Sequence, residues 1–183
     1  KIFIDGEAIN PTNPPGELSF TNEEVIAAVD EAHRRNLKVA CHARSSAAVR
    51  QAVNAGVDFI GHAQTWWANI DKACDNDPRN LYPRGKLTPG GLTDRYLSDY
   101  PNMFGDLSAG SGENAFKRDP DHARAFLARH QDKLMFGSDC VDPTADVAVC
   151  SGARQLAQVR AYAPNKSAER KMLYANAKTL FRL

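Results

Sequence analysis

Short apolar runs that alternate with amphipathic segments constrain this chain most. Five runs have the length and character of strands: residues Lys1–Ile4, Lys38–His42, Val57–His62, Met103–Leu107 and Lys133–Asp139. Each is apolar on both sides and closed by Gly, Ser, Asp or His, as expected of parallel strands covered on both faces. The segments between them carry helix signals. Thr21-Asn22-Glu23-Glu24 is a capping box, followed by the stripe Val25, Ile26, Val29 and Ala32. Ser45 or Ser46 opens a second helix that Gly56 stops, and Asp119-Pro120 pairs an N-cap with proline in the first helical position. Two further helices are expected near Gly152–Tyr162 and Ser167–Leu180.

Alternating strands and helices fold either as a doubly wound open sheet or as a (β/α)8 barrel. A barrel needs eight strands and typically ~250 residues. This chain of 183 residues offers five strands and begins inside one. It is therefore an open sheet or the C-terminal part, about strands 4–8, of a TIM-type barrel whose N-terminal strands are absent. Residues 1–183 are taken as one partial barrel domain with a long polar insertion at about 64–91. Such a loop is usually functional or mobile.

Composition narrows the function classes. Hydrophobic residues at 43% and charged residues at 25% suit a globular chain rather than a disordered one. Lys and Arg number 23 against 22 Asp and Glu, a net charge of +1 that gives no support for nucleic-acid or membrane binding. The four cysteines, Cys41, Cys74, Cys140 and Cys150, contain no C-x-x-C pair. They are expected as free thiols, which leans slightly towards a reducing, cytoplasmic setting.

Active sites of both architectures gather at the C-terminal ends of strands. Here those ends carry His42, His62, Asp106 and Asp139. Two imidazoles and a carboxylate on one rim suit a divalent metal: zinc, iron, manganese or nickel, with zinc the first choice. The bland alternative is that each is a hydrogen-bonded structural residue. His33 and His130 lie beside apolar helix faces and are expected to be structural, and His122 to be solvated. Trp66 and Trp67, adjacent in the insertion, are not expected both to point inward on a regular element. One lines a pocket, or both pack under the loop. Arg84, Lys86 and Arg95 are either substrate-carboxylate anchors or a solvated face. Gly110-Ser111-Gly112-Glu113-Asn114-Ala115 matches a dinucleotide loop, but its helix would be cut short at Asp119-Pro120, which favours a pocket rim.

These residues resemble a family. Lys1-Ile2-Phe3-Ile4-Asp5-Gly6, Val39-Ala40-Cys41-His42-Ala43 and Ala55-Gly56-Val57-Asp58-Phe59-Ile60-Gly61-His62 are similar to the amidohydrolase superfamily, in its imidazolonepropionase-like and prolidase-like branch. Gly105-Asp106-Leu107-Ser108-Ala109-Gly110, Phe136-Gly137-Ser138-Asp139 and Asn176-Ala177-Lys178-Thr179-Leu180-Phe181 look more like the branch of decarboxylases and lactonases. The resemblance implies a metal-dependent hydrolase of an amide, lactone or ester. His42 and His62 match the fifth- and sixth-strand ligands. Asp139 matches the eighth-strand aspartate, which binds metal and takes the proton of the attacking water. Lys1 falls at the fourth-strand lysine that, carboxylated, bridges two metals. The family's first-strand His-x-His pair has no counterpart here. A non-oxidative decarboxylase on the same scaffold is the alternative, and a non-catalytic partial barrel that needs a partner chain is another. The partners expected are a small-molecule substrate and either a missing N-terminal segment or a further copy of the chain.

Overall fold

The computed structural model describes residues 1–6, 16–61, 64–77, 80–140, 144, 146 and 148–183. Five strands form one sheet: β1 (Ile2–Phe3), β2 (Ala40–His42), β3 (Phe59–Ile60), β4 (Gly105–Asp106) and β5 (Leu134–Met135). Each lies inside one of the five apolar runs. All neighbours are parallel, and the order is β1-β2-β3-β4-β5. A doubly wound sheet reverses its strand order at a switch point. This sheet has no reversal, so of the two architectures open to the sequence it takes the barrel's winding.

Helices α1 (Asn22–Arg34), α2 (Ser46–Asn54), α3 (Gln64–Ala68), α4 (Leu92–Asp99), α5 (Ala109–Lys117), α6 (Pro120–His130), α7 (Ser151–Tyr162), α8 (Lys166–Arg170) and α9 (Asn176–Phe181) surround it. Their starts follow local chemistry. Thr21 and Glu24 form the reciprocal capping box, Ser45 Oγ accepts from the Ala48 amide, and Asp119 caps α6 ahead of Pro120. In α1 the buried stripe is narrower than expected: Val25 and Val29 are buried, while Ile26 faces solvent. Between α8 and α9, residues Lys171–Ala175 form a π-helical segment inside the expected closing helix. There Phe136 N donates to Met172 O, and Asn176 Nδ2 donates to Gln131 O and Leu134 O. The outward main-chain groups of β5 are thereby satisfied by the closing helix. No described helix is long and apolar enough to cross a membrane.

The insertion is more ordered than a polar loop. Asp71, buried, accepts from the amides of Ala73 and Thr88 and pairs with Arg118 at 3.0 Å. Asp75 accepts from Leu92 N and Arg95, and Asp119 from Leu87 N. Arg95 is thus engaged on the surface, and Arg84 and Lys86 are exposed. Gly91 passes so close that a Cβ there would sit 2.3 Å from Asn69 O.

Both tryptophans are buried at 1% exposure, contrary to the expectation that adjacent tryptophans cannot both turn inward. The short helix α3 is wedged into the core and finds apolar partners on two sides. Trp66 stacks on Tyr96, while Trp67 meets Phe116 and Phe126 edge-on. Packing under the insertion is therefore the reading that holds for the pair.

The thiol expectation is also corrected. Cys140 and Cys150 form a disulfide, with Cα atoms 5.4 Å apart, and only Cys41 and Cys74 are free. That separation lies within the bridging range, and a ten-residue sequence spacing carries no sign of it.

Candidate active site

The C-terminal ends of the strands define one rim of the sheet. β1 runs into Asp5, which is 2% exposed. Its carboxylate accepts from Arg44 N at 2.8 Å and Ser45 N at 2.7 Å. Asp5 thus ties the end of β1 to the turn between β2 and α2, directly beside His42. Its role as an anchor had no sequence signal beyond an aspartate closing an apolar run.

His42 ends β2 and is buried. Its ring stacks on Phe3, centroids 5.1 Å apart and planes 23° off parallel. Lys1 Nζ lies 5.2 Å from the centroid of the same Phe3 ring. Lys1 and His42 thus each contact the Phe3 ring. Lys1 itself precedes β1 and is exposed. Behind His42, the Cys41 thiol is pushed up to about 12, by burial first and by the Asp5 charge second, against Lys1. It stays protonated at ordinary pH.

Asp106 ends β4. Its carboxylate accepts from Ser108 N and Ser108 Oγ, both at 2.9 Å, and its main-chain carbonyl accepts from Trp67 Nε1. The segment after β5 passes against it: a Cβ at Gly137 would lie 2.7 Å from Asp106 Oδ1, so a larger residue there would displace the Asp106 carboxylate from Ser108. Two residues on, Asp139 is exposed and adopts the left-handed conformation, φ 46°. His42, Asp106 and Asp139 thus share the rim that the sequence singled out. His62 lies outside the described residues. Among the described residues no three His, Cys, Asp or Glu side chains gather into a metal-holding group. An imidazole and a carboxylate suit a divalent metal in kind. A groove of about 450 Å³ runs between β1 and α1, lined by Lys1, Phe3, Phe20, Glu24 and Val25 among others.

The remaining histidines are structural or shielded. His33 Nε2 lies 2.7 Å from Asp58 Oδ2, and His130 Nε2 lies 2.5 Å from Asp94 Oδ1. His122, expected in solvent, is half-buried and stacks on Phe126, with both ring nitrogens shielded. Burial lowers its pKa below 6.5, partly offset by Asp119 and Asp94. The glycine-rich run forms the first turns of α5, with Ser111 and Gly112 buried.

Comparison with known proteins agrees with this layout. Residues 95–183 match the family model described as amidohydrolase. No curated protein matches the chain. Among solved structures, a protein of Agrobacterium tumefaciens in its apo form is similar with a TM-score of 0.56 at 15% identity, over 88% of this chain and 55% of its own. An uncharacterized protein gives 0.53 at 20% identity, over 97% and 42%. The ochratoxinase of A. niger gives 0.51 at 14% identity, over 98% and 38%. The chain spans roughly half the length of these structures or less, and its five strands correspond to part of a barrel-type fold. Residues 95–183, which include Asp106 and Asp139, thus carry a likeness to the amidohydrolase family, the family that the strand ends resemble.

Proposed function

We propose that this chain contributes to a metal-dependent hydrolase acting on an amide, lactone or ester. The observation that carries the reading is positional. The rim formed by the C-terminal strand ends holds His42 and Asp139, and the amidohydrolase match covers the half of the chain that supplies Asp139. His42, His62 and Asp139 would hold a divalent metal, zinc first, with Lys1 joining them if carboxylated. Such an ion, when bound, activates water and polarises the carbonyl to be attacked.

The chain's own groups account for the rest. Asp139, exposed at the strand end, takes the proton of the attacking water at a carboxylate oxygen and returns it to the leaving group. The buried His42 is orientated by its stack on Phe3, and Asp5 fixes the turn that follows it. Asp106 is occupied by Ser108 and shapes the floor of the rim beside Gly137.

Elemental analysis of the purified protein, together with a panel of chromogenic esters, lactones and anilides, tests this. About one zinc per chain, lost in His42→Ala, with turnover that falls ~10²–10⁴-fold in Asp139→Asn, is the expected result. Absence of both metal and turnover would overturn it. Carbon dioxide release from aromatic carboxylic acids without hydrolysis would replace it with the decarboxylase reading.

A further inference from the structure

The segment after β5 that carries Asp139 is held by a covalent bond. Cys140 follows Asp139 directly and is bridged to Cys150. Cys150 is the N-cap of α7, and its Sγ accepts from Ala153 N at 3.3 Å. The first turn of α7 also packs on the same strand end. A Cβ at Gly152 would lie 2.6 Å from Ser138 Cβ and 2.9 Å from Ser138 O, so only glycine permits this approach. α7 is anchored in turn on α5, where Arg154 Nε donates to Glu113 at 2.9 Å, and by the fully buried Val159. Asp139, directly before Cys140, has φ 46°, in the left-handed region that aspartate enters more readily than most residues.

We propose that the Cys140–Cys150 disulfide is a redox-sensitive clamp on Asp139, opened by a dithiol. Cys140 is half-buried and Cys150 nearly fully buried, so a reagent thiolate attacks Cys140 Sγ. The S–S bond breaks and its electron pair leaves on Cys150 Sγ, which already accepts an amide proton at a helix N-terminus, a setting that favours a departing thiolate. The reagent's second thiol then displaces Cys140 and departs as a cyclic disulfide. The protein pair gains two electrons and two protons. The other thiols stay silent, since Cys41 and Cys74 are both buried. With the bridge closed, α7 dictates the position of residue 140 and so the conformation of Asp139. With it open, residue 140 is no longer tied to α7, and the backbone at Asp139 gains freedom. The consequence for activity rests on the role proposed above for Asp139.

The test uses the full chain with and without dithiothreitol. Iodoacetamide should add two carbamidomethyl groups, at Cys140 and Cys150, only after reduction. Amide hydrogen exchange at Gly137–Asp139 should then become about tenfold faster or more. Cys140→Ser/Cys150→Ser should exchange as fast without reductant and should not respond to it. Zinc affinity should be about tenfold weaker in the open form, since a ligand is no longer pre-positioned. Cysteines alkylated before reduction, unchanged exchange, or equal zinc affinity in the two forms would each overturn the clamp. Zinc bound to neither form, while exchange still responds, supports the clamp and sinks the metal-hydrolase reading instead.

Discussion

The two rims of the sheet use the same residue types in different ways. At the N-terminal ends of the strands, Asp58 accepts from His33 Nε2, Lys38 Nζ and Val39 N, all within 2.9 Å. Lys133 Nζ donates to Leu97 O and Tyr100 O at 2.7 Å, and the Asn176 amide bridges Gln131 O and Leu134 O. Burial works to raise the Asp58 pKa, but Lys38, the Val39 amide and His33 outweigh it and hold the carboxyl below 3.8. These histidines, lysines and carboxylates are staples between a strand and the chain around it. At the C-terminal ends, Asp5 and Asp106 also hold main chain, but Asp139 stands exposed in a left-handed conformation and His42 ends its strand against an aromatic ring. Position on the strand, rather than residue type, separates the stapled groups from those that the proposed hydrolase would use.

The largest effect that would sharpen this contrast is on the stapled rim. Asp58→Ala leaves the buried Val39 amide without its acceptor and frees two half-exposed partners, and is expected to cost about 2–3 kcal/mol in urea unfolding, with zinc content unchanged. A loss below about 1 kcal/mol would break the distinction. Cys140→Ser/Cys150→Ser should lower stability by about 2 kcal/mol, because it frees a short loop in the unfolded chain. Asn176→Ala leaves two carbonyls without their donor and should cost about 1–2 kcal/mol. Asp139→Asn, on the opposite rim, should change stability by less than about 0.5 kcal/mol.

The smallest effect is expected from His122, which lies on neither rim. Its folded pKa is lowered, so the unfolded chain binds the proton first as pH falls. Stability is complete above about 6.5 and declines as pH drops from there through the lower folded value. Thermal unfolding of His122→Phe should lack that slope. An unchanged pH profile would show that the shielding of this ring has no energetic weight.

Much of the scaffold was legible because its determinants are local. The capping box at Thr21, the Ser45 cap and the Asp119-Pro120 start each lie within three residues of what they satisfy. The strand end at His42 was legible for the same reason, whereas β5 stops at Met135, four residues short of the expected Asp139. Non-local pairings were not. Asp58 lies 25 residues from His33, and Asp71 lies 47 residues from Arg118. The inward turn of both tryptophans depends on Tyr96, Phe116 and Phe126, which only the fold brings near. The disulfide was missed because cysteine spacing does not encode Cα separation. The same holds for Asp5, whose partners are 39 and 40 residues away.

The π-helical segment Lys171–Ala175 has a consequence for sequence length. It amounts to one extra residue wound into a helix, and each residue turns the downstream face by about 100°. That phase offset lets Met172 present its carbonyl to Phe136 while Asn176 presents its amide to Leu134. Deleting one residue there would leave a more regular helix and rotate Asn176 away from the strand. In this helix, insertions and deletions are therefore not interchangeable with substitutions: its length in residues is itself a specification, set by the spacing of two hydrogen-bonding groups along β5.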